Sequence, residues 1–150
     1  MRAGTSESPK SSDRRRTLLS SRSPSSLGLD WGDVEMIYYN SNTLRDNISG
    51  IDVSTYNLVN GKVVETKMPS KYVFREDFTE NYKKLSFSAQ EVRVGSVIEI
   101  RYTVSSNIYW EIDDIFLQKD IPVNLSECII RLPEMFEFNK KQLGFNPVKY

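Results

Sequence analysis

The chain has 150 residues, 39% of them hydrophobic, and suits one domain with one core, because a core needs roughly 100 residues before most of its surface can be buried. Lysine plus arginine equals aspartate plus glutamate at 20 each, so no global field draws the protein to nucleic acid or to an anionic membrane. There is no histidine, which removes Ser/His and Cys/His nucleophile–base pairs and the usual zinc sites from anything the chain can assemble alone.

Residues 1–27 read as a disordered Ser/Arg-rich tail. Residues 1–26 hold Arg2, Lys10, Arg14, Arg15, Arg16 and Arg22 against Glu7 and Asp13, a net charge of +4 that leaves −4 for the remainder. Leu18-Leu19 is the segment's one apolar pair, too little to offset the entropy of ordering it. No uninterrupted apolar run of about 7 to 15 residues follows the basic group, as a secretory signal requires. Nor do about 18 apolar residues run together anywhere, so no membrane span is expected. The triple arginine reads as part of a solvated tail rather than as a nucleic-acid patch.

From residue 28 to residue 150 the pattern is that of strands. Val34–Tyr39 is the first candidate. Ile51–Val59 then runs into Asn60-Gly61 and Lys62–Met68, and Asn-Gly is the preferred pair for a two-residue hairpin turn because both positions need positive φ. Phe74, Phe78 and Tyr82, spaced by four, suggest one short helical turn. Leu85, Phe87 and Ala89 alternate with polar residues, and Gly95 marks a turn before the clearest strand, Ser96–Ser105. In that strand Ile98, Ile100, Tyr102 and Val104 alternate with Glu99, Arg101 and Thr103, giving one apolar and one wet face. The two segments are expected to pair. Val123–Leu132 is a further strand ended by Pro133, with Met135–Phe138 a last short one. Seven or so short strands with little or no helix predict an all-β fold, an antiparallel β-sandwich.

No catalytic residues, metal ligands or cofactor are expected. Cys128 is in register with Ile130 and Leu132 on the expected inward face, where a free thiol acts as a small hydrophobe, and a lone cysteine makes no intrachain disulfide. Glu111, Asp113, Asp114 and Asp120 lack the glycine and spacing of a calcium loop and read as a solvated acidic loop. Asn47-Ile48-Ser49 and Asn124-Leu125-Ser126 fit the glycosylation pattern, which recurs by chance in short motifs. Tyr109 and Trp110 are the candidate binding residues: adjacent aromatics can form a surface platform for a sugar or a protein, though large aromatics more often fill cores.

Ser54-Thr55-Tyr56-Asn57-Leu58, the Asn60-Gly61-Lys62 turn, Val94-Gly95-Ser96-Val97-Ile98-Glu99 and Asp120-Ile121-Pro122-Val123 together resemble a bacterial domain-of-unknown-function family that precedes transglutaminase-like domains in exported proteins. The resemblance covers roughly Leu27 to Tyr150. It implies a β-sandwich without catalytic residues, a periplasmic or cell-surface setting, and Cys/His/Asp chemistry in a downstream domain. The family's export signal and first strands would precede Asp30-Trp31-Gly32, where the Ser/Arg segment stands instead, so the chain reads as a fragment with an unpaired strand edge. Two roles are expected from these readings: an interaction or positioning module for such a transglutaminase-like domain or another protein, which would expose an apolar patch on one sheet, or a carbohydrate-binding module built on Tyr109 and Trp110.

Overall fold

A computed structural model describes residues 32–108, 110, 115, 123–132, 137, 139, 141 and 143, and the backbone of residues 12–21. Eight strands carry the described chain: β1 (Ser12–Ser21), β2 (Asp33–Tyr39), β3 (Asp46–Val59), β4 (Lys62–Lys67), β5 (Phe74–Asp77), β6 (Tyr82–Ser88), β7 (Val97–Ser106) and β8 (Val123–Arg131). They form a five-stranded sheet in the order β4-β3-β7-β1-β8 and a three-stranded sheet in the order β2-β6-β5. Every pairing is antiparallel. A 3₁₀ turn at Ser70–Tyr72 links β4 to β5, and no α-helix occurs among the described residues. The expected all-β, antiparallel class is therefore the observed one.

The core lies between the sheets. Tyr38, Leu85 and Phe87 of the smaller sheet and Ile48, Val53, Ile98 and Ile100 of the larger are buried in one cluster with Met68. Alternation explains the set, since side chains two apart share a face. On β6 the buried residues are Leu85 and Phe87, which pair across to Met36 and Val34. Along β3 the parity changes. Ile48 is buried at an even position, whereas Val53, Thr55 and Asn57 are buried at odd ones. The change follows from a bulge: Ser49 pairs with Thr103 and Asp52 with Arg101, so that Gly50 and Ile51 together face Tyr102. Gly50 has φ +59, the left-handed conformation that glycine adopts at no steric cost and that a bulge of this type requires. The bulge re-aims the second half of β3 so that Val53 meets Ile100 and Thr55 meets Ile98 in register.

At the end of β3 the Asn60-Gly61 turn has φ +50 and +75, as the hairpin reading expects, and Val59 pairs with Lys62. Beyond it, the buried amide of Asn57 fastens the loop before β7. Its Nδ2 donates to the Glu91 carbonyl at 2.9 Å and its Oδ1 accepts from Ser96 Oγ at 2.5 Å, while Ser96 Oγ accepts from the Arg93 N–H at 2.8 Å.

Three expectations need correction. Ser12–Ser21, inside the segment read as disordered, is β1, paired with β7 on one side and β8 on the other. Satisfying its backbone groups on both sides supplies the stabilisation that its composition lacks; residues 1–11 and 22–27 lie outside the described residues. Second, Phe74, Phe78 and Tyr82 do not form a helical turn. Phe74 begins β5, Tyr82 begins β6, and the N–H groups of Phe78 and Thr79 both donate to the Tyr82 carbonyl, so the spacing of four comes from a hairpin turn. Third, β6 pairs with β2 and β5 rather than with β7, because the two strands lie in different sheets. The expected strand at Met135–Phe138 lies outside the described residues apart from Glu137, which is not in a strand.

Candidate functional site

Trp110 is 56% exposed, and Tyr109 lies outside the described residues, as do Glu111, Asp113, Asp114 and Asp120. Cys128 is half-buried rather than buried. Its register is the expected one, since it pairs with Arg16, which pairs with Tyr102 on the core side of β7. Yet β8 is the outermost described strand of a sheet wider than the smaller one, and Ile130, its neighbour in register, remains 40% exposed. No group of three or more Cys, Asp or Glu side chains among the described residues could hold a metal ion, and no described helix is long and apolar enough to cross a membrane.

The larger sheet carries a polar network on its outer face. Glu99, read from its alternation as a solvent-facing residue, is buried. Its position in β7 has Ser54 of β3 opposite on one side and Leu19 of β1 on the other. The Glu99 carboxylate accepts from Tyr56 Oη at 2.9 Å and pairs with Arg101. Glu65 on β4 accepts from Ser54 Oγ at 2.9 Å and lies 3.8 Å from Lys67, while Asp52 pairs with Arg101 at 3.7 Å. The Tyr56 hydroxyl is held above its ordinary pKa, chiefly by the hydrogen bond to Glu99, then by burial and by the charges of Glu99 and Glu65. A phenol with a raised pKa is a poor base at neutral pH, and the arrangement acts as a lock between strands. The sequence signal for it is weak, because alternation alone puts Glu99 on the wet face and its partner Tyr56 comes from a distant strand.

The smaller sheet is different. Its outer face presents Ile37, Phe74 and Tyr82 at 54%, 61% and 45% exposure, with Phe78 at 54% in the turn joining β5 to β6. Their placement follows from register: Phe74 pairs with Ser86 and Ile37 with Lys84, positions that alternate with the buried Leu85 and Phe87. Tyr82 is braced edge-on by Tyr39, with ring centroids 5.2 Å apart. Between the apolar groups lies an ion-pair triad in which Lys84 meets Glu76 at 2.9 Å and Glu35 at 3.3 Å. These two hydrogen bonds raise the Lys84 pKa, and the Asp77 carboxylate, 2.8 Å away, does the same for Lys83. Lys84 thus stays charged and central while apolar side chains surround it.

Near the end of β5, Asn40, Ser41, Asn42, Asp77, Thr79, Glu80, Asn81 and Lys83 line an open depression of about 530 Å³. It has no aromatic wall and little apolar surface, unlike the clefts that hold small molecules.

No protein-family model, no curated protein and no solved structure matches this chain.

Proposed function

We propose that this chain is a non-catalytic docking module whose working surface is the outer face of the three-stranded sheet. The observation that carries the reading is the exposure of Ile37, Phe74 and Tyr82 on that face, with Phe78 in the adjoining turn. Aromatic side chains are enriched at the centres of protein interfaces and supply most of their energy, whereas charged groups there are few and paired, as Lys84 is with Glu35 and Glu76. The partner is a folded protein surface with an apolar centre. By the family resemblance it is an adjoining transglutaminase-like domain, in an exported protein of the periplasm or cell surface, and catalysis belongs to that domain.

The test is calorimetric titration of the transglutaminase-like domain from the same reading frame with this chain and with an Ile37→Ser/Phe74→Ser variant. The proposal expects affinity to fall roughly tenfold or more, since each lost anchor costs about 1–2 kcal/mol, with the melting temperature little changed. Equal affinity for both proteins contradicts it.

A carbohydrate-binding reading rests on the exposure of Trp110. It requires that Trp110→Ala abolish binding to neutral oligosaccharides.

A further inference from the structure

The free edge of the five-stranded sheet points to a second copy of this chain. β4 ends the described sheet, and its residues are exposed apart from Thr66, which is half-buried. In a two-residue hairpin the closing pair, here Val59 and Lys62, turns its N–H and C=O groups toward each other, and the direction alternates from there. Lys62, Val64 and Thr66 therefore bond to β3, a parity that continues at Met68, whose N–H donates to the Val53 carbonyl at 2.9 Å. The backbone groups of Val63, Glu65 and Lys67 point the other way, outward along the edge. Such a row is a template for another strand.

The edge sequence Lys62-Val63-Val64-Glu65-Thr66-Lys67 is self-complementary in one register. Two-fold pairing of identical antiparallel strands sets one residue opposite its own copy. With Thr66 on the axis, Glu65 of each copy faces Lys67 of the other, and both are outward-bonding residues, so each pair also exchanges its backbone hydrogen bonds. A shift that puts Glu65 on the axis sets two carboxylates against each other, and one that puts Val64 there leaves Glu65 facing Val63. Both charges are matched only in the first of these three. Val63, 70% exposed, continues the edge from Glu65, and Leu58, 71% exposed, pairs with it on β3.

We propose that two copies of this chain associate edge to edge through β4, Thr66 against Thr66, making one continuous sheet. A contact of one short strand buries less than the ~1,200 Å² of a stable interface, so the dimer is weak and is read at high concentration.

The test is sedimentation of the whole chain over a concentration series up to about 1 mM, for the wild type, for E65K, for K67E and for an equimolar mixture of the two. E65K puts two lysines on the edge and K67E two glutamates. Each alone should raise the dimer dissociation constant roughly tenfold or more, because two attractive cross-strand pairs become repulsive, and the mixture should restore association as a heterodimer. Since Glu65 also accepts from Ser54, Lys67→Pro is the second variant should E65K not fold: it deletes an outward donor without touching the β3 ladder, and it too should leave a monomer. A wild type that stays monomeric throughout the series overturns the proposal. So does a dimer unaffected by K67E and by Lys67→Pro.

Discussion

On the outer face of the larger sheet, Tyr56, Glu99, Arg101, Glu65, Ser54 and Lys67 spend their polar groups on one another across β3, β4 and β7, and the carboxylate at the centre is buried. On the outer face of the smaller sheet one ion-pair triad is similarly closed, yet Ile37, Phe74 and Tyr82 stand around it with about half of their surface in water. The first face closes its polar network within the chain, with Leu58 and Val63 beside the hairpin turn and Leu125 and Ile129 on β8 exposed around its margin. The second leaves apolar area whose burial is worth ~25 cal/mol per Å² to whatever covers it. The aromatic side chains gathered around a closed ion-pair triad are the physical ground for placing the docking surface on β2, β5 and β6.

Breaking the layer that supports both faces should cost most. Leu85 is fully buried, and Leu85→Ala is expected to lower unfolding free energy by about 2–5 kcal/mol in urea titrations, because a cavity opens where the surroundings relax only partly. Asn57→Ala should cost about 1–3 kcal/mol, since it leaves the buried Ser96 hydroxyl without its acceptor, removes the donor to the Glu91 carbonyl and frees the loop before β7. In the opposite direction, Thr55 is fully buried and its Oγ1 has no hydrogen-bond partner, so Thr55→Val, of equal shape, should raise stability by about 1 kcal/mol.

The locked face can also be opened by alkali. The Tyr56 pKa is raised in the folded chain, so its stabilising contribution is complete below the ordinary value of 10.0 and is lost as pH climbs through the folded value. Stability should therefore decline above pH 10.0 more steeply in the wild type than in Tyr56→Phe, measured by urea midpoints at fixed ionic strength. The smallest change is expected on the other face. Phe74→Ser should alter stability by less than about 0.5 kcal/mol, because the side chain is already mostly in water.

What could be read from the chain alone follows the same division. The Asn60-Gly61 hairpin and the alternation of Ile98, Ile100, Tyr102 and Val104 are local signals, and local geometry fixes what they become. Strand β1 could not be read, because its stability comes from β7 and β8 rather than from its own Asp13-Arg14-Arg15-Arg16 sequence. The burial of Glu99 was hidden because its partner Tyr56 lies on a strand distant in sequence. Phe74, Phe78 and Tyr82 misled because a spacing of four arises equally from a helical turn and from a hairpin whose turn closes on Tyr82. The exposed face of the smaller sheet was expected in kind, as an apolar patch on one sheet, but its residues emerge only once β6 is paired with β2 and β5 instead of β7.

Amide hydrogen exchange of this chain with and without the proposed partner, a transglutaminase-like domain, bears most directly on where a partner sits. Slowed exchange in residues 33–39 and 74–88, with residues 54–67 unchanged and the effect lost in Ile37→Ser/Phe74→Ser, is the expected pattern. Unchanged exchange across β2, β5 and β6 at saturating partner, or protection that persists in that variant, would contradict a docking role for this face.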